Sequence, residues 1–401
     1  MKWLNKGHEF DEYGKQLVEE FKIRNNLIFI FGAGLIGNEI RGIFEKTQCF
    51  AGFIDNDTRK QRNGVEGTKI ISFEEYLSKG KRGIIVIAAD KKNIPIISKQ
   101  LREAGLEDQK DFYEYAEFLD RVFPILSVYA NNQLYVDLAQ ISLTERCSLK
   151  CKKCAHGCYA VDMKSQDMSI EMAKKSADYF FYHVDIIKEF VLIGGEPFLY
   201  QKLDKIVEYI GENYRNKIVL FSITTNGTII PEQSLLNLCK KYNVTIRISD
   251  YSATLKHLEQ RYEQLKKKLE NSKVSYIMGG KETKWMDYGF ETVDRKGKEK
   301  ELIQVFERCK TPCREIRGSR FYYCVMARSV SDNLGFGLGK DEYLELADKK
   351  KEDKKIILEF QKGFSDKGYL DMCNHCNGAD AINYPIPSAE QVEANRVIKR
   401  I

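Results

Sequence analysis

The stretch Tyr135-Val-Asp-Leu-Ala-Gln-Ile-Ser-Leu143, followed a few residues later by Cys147-Ser-Leu-Lys-Cys151-Lys-Lys-Cys154, decides how the chain is read. Its first part is an apolar, β-prone run that reads as a buried strand. Its second part sets three thiols in a C-x3-C-x2-C triplet on the loop that follows. Further strand candidates lie downstream at Phe190 to Ile193, Ile218 to Thr224, Val244 to Ser249 and Val274 to Met278. Amphipathic helices are expected between them, at Ile170 to Ile187, Leu203 to Tyr214, Glu232 to Tyr242 and Thr254 to Asn271, with Ser169 and Ser252 as N-caps.

Strands alternating with helices imply an α/β fold with a parallel sheet. Five or six strands at this spacing fit a partial (β/α)6 barrel of TIM type, and in such barrels chemistry sits at the C-terminal strand ends. Upstream, Leu27 to Phe31, Phe50 to Ile54 and Ile84 to Ala89 read as strands of an earlier α/β unit, with a helix from Leu35 to Lys46. The segment Phe112 to Ser127 is mixed, and Pro124 marks a linker. Beyond Lys281 the alternation stops. Lys281 to Lys300 is expected to be an exposed connector, and Lys349 to Phe360 a solvated helix. Three domains follow: residues 1–125, 133–280 and a small, irregular, cysteine-rich extension at 300–401.

The composition bounds the function. Hydrophobic residues make up 43% and charged residues 30%, a globular balance. Lys+Arg is 64 against Asp+Glu 58, a net charge of +6 that is too mild to point to nucleic acid. There is no run of about 18 apolar residues, so no membrane span is expected. The start, MKWLNKGHEF, has no apolar core of an export signal, so the cytoplasm is the expected compartment. In that reducing compartment eleven cysteines favour metal ligation over disulfides. Cys49, Cys158 and Cys239 stand apart and read as small buried hydrophobes.

Three thiolates this close can bind three irons of a [4Fe–4S] cube and leave the fourth open. A structural zinc site, with His156 as fourth ligand, is the rival reading. The triplet resembles the signature of the radical S-adenosylmethionine (radical SAM) enzymes, and the likeness extends over about Leu134 to Met278. Gly194-Gly195-Glu196-Pro197 is similar to the family's GGEP motif, which implies contact with the methionine ammonium. Thr224-Thr225-Asn226-Gly227 is similar to its TNG motif near the nucleoside. Arg247-Ile248-Ser249-Asp250 falls where the family places polar contacts, with Ser249 the cofactor contact and Arg247, Asp250 and Tyr251 within reach of a substrate. The family has an aromatic residue before the third cysteine; here it is Lys153. The resemblance implies a [4Fe–4S] cluster, S-adenosylmethionine, a 5′-deoxyadenosyl radical and an electron donor such as flavodoxin or ferredoxin.

Cys309, Cys313, Cys324, Cys373 and Cys376 form a second group. It reads either as a zinc-ribbon-like structural site or as an auxiliary [4Fe–4S] cluster, similar to the Twitch or SPASM extensions of that family. Cys324, Cys373, Cys376 and one of Cys309 and Cys313 are the expected ligands, and His375 a loop residue. At the front, Gly32-Ala33-Gly34-Leu35-Ile36-Gly37 is a G-x-G-x-x-G turn between strand and helix, with Asp55 ending the next strand, the context of a Rossmann-like nucleotide site. The FGAG…FIDND pattern resembles small N-terminal domains of bacterial surface-glycan biosynthesis proteins, which implies a nucleotide or nucleotide-sugar ligand. The expected function is hydrogen abstraction from a saccharide or nucleotide-sugar, leading to oxidation or dehydration. The alternatives are a peptide- or protein-modifying radical SAM maturase and a non-catalytic, metal-stabilised nucleotide-binding protein.

Overall fold

The structure is a computed structural model that describes residues 9–80, 83–337, 339–363, 367–379 and 383–393. The chain start, read above as lacking an export signal, lies outside the described residues apart from its last two positions. Among the described residues no helix is long and apolar enough to cross a membrane. The chain divides into two compact units. One runs to Asp137 and includes Val184–Lys188; the other is formed by Leu138–His183 and the chain from Glu189 onward.

The first unit is built on a five-stranded sheet with the order β3-β2-β1-β4-β5: Ile28–Phe31 (β1), Phe50–Ile54 (β2), Ile70–Ile71 (β3), Ile84–Ile87 (β4) and Phe112–Glu114 (β5). All four pairings are parallel. The apolar runs explain this: every residue of β4 is buried, as a strand covered on both faces requires. The strand order reverses between β1 and β4. In open α/β sheets that switch point is where a crevice forms beyond the strand ends. The helix Leu35–Lys46 has the expected bounds, and it buries Ile40, Ile43 and Phe44.

The expected linker is not one. After β5 the chain coils from Tyr115 to Asn131, and Phe123–Asn131 is a helix with Pro124 in its first turn. Proline suits that position because its missing N–H would have no helical partner there. The run Phe123 to Val128 is buried, and Phe123 meets the Phe44 ring at 5.3 Å. An apolar face, rather than the proline, decides the segment.

A second, eight-stranded sheet has the order β10-β9-β8-β7-β6-β12-β13-β14. The strands are Tyr135–Thr144 (β6), Ile186–Gly194 (β7), Ile218–Thr225 (β8), Val244–Ile248 (β9), Tyr276–Met278 (β10), Arg314–Arg317 (β12), Arg320–Tyr322 (β13) and Tyr343–Glu345 (β14). Between β10 and β12 lies Trp285–Met286 (β11), which pairs antiparallel with Pro385–Ile386 (β15). Pairs β8–β9, β9–β10 and β6–β12 are parallel, while β12–β13 and β13–β14 are antiparallel. The helix after Ser169 starts at Ile170 as expected, and the Ser169 hydroxyl accepts from the Met172 N–H at 3.1 Å. It ends at His183, because Ile186 and Ile187 belong to β7. Ser252 caps no helix: its hydroxyl donates to Asp250 at 2.6 Å, and the helix begins later, at Glu259.

Two surface readings also give way to packing. The helix Lys354–Gln361 buries Ile357, Leu358 and Phe360, so its lysines flank an apolar face instead of forming a solvated rod. Within 281–300, Phe290 is buried and β11 is tied into a ladder, so the segment is more than an exposed connector.

Candidate active site

A cavity of about 380 Å³ lies at the C-terminal ends of β7, β8 and β9, and it is lined by Cys147, Cys151 and Cys154. Gly194 and Gly195 from the end of β7, Thr225 and Asn226 from the end of β8, and Ser249 and Tyr251 after β9 complete its floor. Strand ends of a parallel sheet are where backbone N–H and side chains become available to a ligand. The resemblance-based residues are thus brought together, with two instructive departures.

The first is Glu196, which is fully buried and absent from the cavity lining. Its Oε1 accepts from the Thr225 hydroxyl at 2.8 Å and the Phe198 N–H at 3.1 Å, and its Oε2 accepts from the Asn226 N–H at 2.9 Å. Burial pushes its pKa up to about 7, against the pull of these three donors. The acid expected to meet an ammonium instead holds the end of β8 in place. Pro197 is likewise buried and starts a short turn behind it.

The second departure concerns the glycines. A Cβ on Gly194 would lie 2.2 Å from the Thr144 carbonyl oxygen, and one on Gly195 would lie 2.2 Å from that of Arg146. Their bareness lets β7 run against the cysteine loop, and it is through this packing that they come to line the cavity.

The thiols are set among N–H donors. Cys147 Sγ accepts from the Leu149 N–H at 3.4 Å and the Asn226 amide at 3.5 Å, and Cys151 Sγ accepts from the Gln391 amide at 3.2 Å. Burial pushes Cys147 and Cys151 up to about 12, whereas a hydrogen bond with Cys158 brings Cys154 down to about 7. Cys158 is buried as expected, and it is also a neighbour of the triplet. Among the described residues no three His, Cys, Asp or Glu side chains converge on one ion position. His156 lines the same cavity as the three thiols, and desolvation lowers its pKa to about 4.

Several lining residues escaped the sequence reading. Lys284, Trp285, Met286 and Tyr288 roof the cavity, and the Tyr251 and Trp285 rings meet edge to face at 5.5 Å. Lys153, in the place of the expected aromatic, has a left-handed φ of 60° and pairs with Asp287 at 3.4 Å and Glu291 at 3.8 Å. Tyr262 braces the floor, its hydroxyl donating to the Asn226 and Ser249 carbonyls at 3.2 and 3.1 Å. Arg247 turns away to Glu189, bonding both its oxygens at 2.8 and 2.9 Å, and Asp250 accepts from Ser252. Neither lines the cavity, whereas Tyr251 does.

The thiols of Cys324, Cys373 and Cys309 raise the pKa of Cys376, after burial, and those of Cys376, Cys313, Cys324 and Cys309 add to the burial that pushes Tyr288 up to about 12. Cys309 Sγ accepts from the Ala379 N–H and Cys376 Sγ from the Gly378 N–H, both at 3.2 Å. His375 ends the short helical turn Asp371–His375, bonds the Val293 carbonyl at 3.2 Å and stacks on Phe336.

In the first unit, Gly32 has φ 119°, and a Cβ there would lie 2.4 Å from the Ala88 carbonyl oxygen; one on Gly37 would lie 2.0 Å from that of Gly32. Gly34 faces open space. Asp55 is buried and accepts from the Ala33 N–H and Lys60, each at 2.8 Å. Its carboxylate braces the glycine turn, rather than standing free for a ribose hydroxyl.

Comparison with known proteins agrees with the triplet. The model of the radical SAM superfamily matches residues 141–286. An uncharacterised protein of Methanocaldococcus jannaschii is 30% identical over 140 residues, 34% of this chain and 47% of that one. The chain thus spans about half the length of that relative. A GTP 3′,8-cyclase of Campylobacter fetus is 25% identical over 263 residues, 60% of this chain and 76% of that one. Among solved structures, native anSMEcpe with bound AdoMet is 14% identical with a TM-score of 0.39, over 66% of this chain and 93% of that one. The family match thus falls on the cavity just described: residues 141–286 carry a radical SAM domain.

Proposed function

We propose that Cys147, Cys151 and Cys154 hold the [4Fe–4S] cluster, and that Gly194, Gly195, Thr225, Asn226, Ser249 and Tyr251 form the S-adenosylmethionine site beside it. The observation that carries this reading is that all nine line one cavity of about 380 Å³. The donor set fits: buried thiols with N–H groups aimed at sulfur suit an iron–sulfur cluster. When bound, this pair of cofactors supplies a 5′-deoxyadenosyl radical that takes a hydrogen atom from a substrate. The protein's own part is orientation and exclusion of competing reactions. Lys284, Trp285, Met286 and Tyr288 close the roof under which a substrate carbon would be presented.

The substrate in this proposal is a saccharide or nucleotide-sugar, oxidised or dehydrated after hydrogen abstraction. Two features support it. The first unit has the strand order, switch point and open Gly34 of a Rossmann-like nucleotide domain. The relative named a GTP cyclase acts on a nucleotide. Cys309, Cys313, Cys324, Cys373 and Cys376 supply four ligands of a Twitch-like auxiliary cluster, whose role is to accept an electron from the substrate radical. The domains of this reading are 1–125, 133–280 and 300–401, working in the cytoplasm with a flavodoxin- or ferredoxin-type donor.

The test is anaerobic reconstitution, iron and sulfide analysis, and a 5′-deoxyadenosine assay against a panel of nucleotide-sugars. About eight irons per chain are expected, two cubes of four, and about four after Cys373→Ala and Cys376→Ala. A reconstituted, reduced protein that makes no 5′-deoxyadenosine with or without substrate overturns the assignment.

A further inference from the structure

The C-terminal segment crosses back over the cysteine triplet and is bonded to it along three consecutive residues. The Lys152 N–H donates to the Glu390 carbonyl at 2.6 Å, and the Val392 N–H donates to the Lys150 carbonyl at 2.7 Å, so Cys151 and Gln391 form an antiparallel bridge. The Lys152 ammonium meets the Glu390 carboxylate at 2.8 Å. Gln391 lies opposite Cys151, and its side-chain amide is fixed at both ends. Its Oε1 accepts from the Lys150 N–H at 2.7 Å, while its Nε2 donates to the Ala389 carbonyl at 2.7 Å and to Cys151 Sγ at 3.2 Å. Reversing the amide would set N–H against N–H and oxygen against oxygen, so the donor end has to face the sulfur.

We propose that Gln391 is a positioning residue that sets the reduction potential of the cluster held by the first triplet. The inference rests on Cys151 being a ligand, as proposed above. An N–H aimed at a ligand sulfur stabilises the more negative, reduced form of an iron–sulfur cluster, and hydrogen bonds to sulfur are among the levers that set its potential. Cys147 draws donors from its own loop and from β8; Cys151 receives its side-chain donor from a residue 240 positions away in the chain. The tail that follows Cys373 and Cys376 thus delivers a charge-stabilising group to the first site. A chain in which this segment is not seated would hold a cluster that is harder to reduce.

The test uses the full-length, anaerobically reconstituted protein and follows reduction by electron paramagnetic resonance at a series of poised potentials. The first-site cluster is recognised as the signal that changes on adding S-adenosylmethionine. Gln391→Leu removes the donor; Gln391→Glu keeps the acceptor for Lys150 but turns a carboxylate oxygen toward the sulfur. We expect the ratio of reduced to oxidised cluster at a fixed poise to fall about tenfold in Gln391→Leu, which is 59 mV for one electron, and further in Gln391→Glu. Wild-type potentials in both variants, with iron content retained, overturn the proposal. So does loss of the first-site cluster from both variants with an unchanged circular dichroism spectrum, which would make Gln391 a mechanical clamp. If Gln391→Leu alone loses the cluster, the Gln391→Glu potential decides. A wild-type protein with no signal responsive to S-adenosylmethionine would instead sink the reading of Cys147, Cys151 and Cys154 as ligands, and this inference with it.

Discussion

Glu196 works as a brace because it meets three donors and no solvent. Replacing it by glutamine keeps the shape but puts an NH2 against a buried N–H on one side. Glu196→Gln is therefore expected to cost about 1–3 kcal/mol, the penalty of an unpaired buried polar group, measured by urea denaturation. The pH dependence has a definite sign. The folded pKa of about 7 lies above the ordinary carboxylate value, so the stability Glu196 contributes is fully present below the unfolded pKa and is lost as pH rises through 7. The wild-type margin over Glu196→Gln should be widest at pH 5 and narrow toward pH 8; a margin that widens would contradict the assignment. Lys153 makes a different kind of contact. Its pairs with Asp287 and Glu291 are partly exposed, so each contributes little to global stability, of the order of 1 kcal/mol or less. They do hold the roof next to Trp285. In a Trp3→Phe background, which leaves Trp285 as the sole tryptophan, Lys153→Met should raise acrylamide quenching of Trp285 while leaving the melting temperature within a few degrees. Unchanged quenching would show that β11 is held by β15 alone.

At the scale of elements, the parallel strands were legible because their apolar runs are long and separated by amphipathic helices. The bounds of β6 and β8, and of the helix after β1, were read from the sequence to within a residue or so. What escaped was pairing set by distant residues. β3 has two residues, too few to show a period, and β12 joins β6 across an interval that holds the whole helical series. Trp285 and Tyr288 reach the cavity, and Gln391 reaches Cys151, from segments with no local motif, whereas the thiols and glycines advertise themselves by spacing. Arg328 belongs to this unreadable class. It is buried, meets Glu315 of β12 at 2.6 Å and pairs with Glu145 at the end of β6. Its charge counters the burial that would otherwise raise the pKa of Glu145. Arg328→Met would leave Glu315 buried without its cation and Glu145 with only the longer pair to Arg317 at 3.8 Å, a loss of about 3–5 kcal/mol. Thermal unfolding should show it, and a variant within 1 kcal/mol of the wild type would mean that the pair contributes no more than an exposed one.

At the scale of the whole molecule the chain is two α/β units, each with functional candidates at the C-terminal ends of its strands. In the first unit the three turn glycines do unequal work, and that inequality separates folding from binding. Gly32 and Gly37 face backbone oxygens at 2.4 and 2.0 Å from an added Cβ, so alanine at either must push the turn apart. Gly34 has nothing within 4 Å of that position and an extended backbone, φ −102° and ψ −162°, which any residue adopts. A side chain there projects into the space where a pyrophosphate would approach the helix start. Gly34→Asp should therefore melt like the wild type. A uridine diphosphate sugar, titrated by calorimetry, should bind it at least tenfold more weakly, because the aspartate both fills that space and repels phosphate. Gly37→Ala should show the reverse priority, losing several degrees of melting temperature whether or not ligand is present. Equal binding by the wild type and Gly34→Asp would show that this turn is kept for packing, and the nucleotide reading of the first unit would be withdrawn while the cluster chemistry of the second stood unchanged.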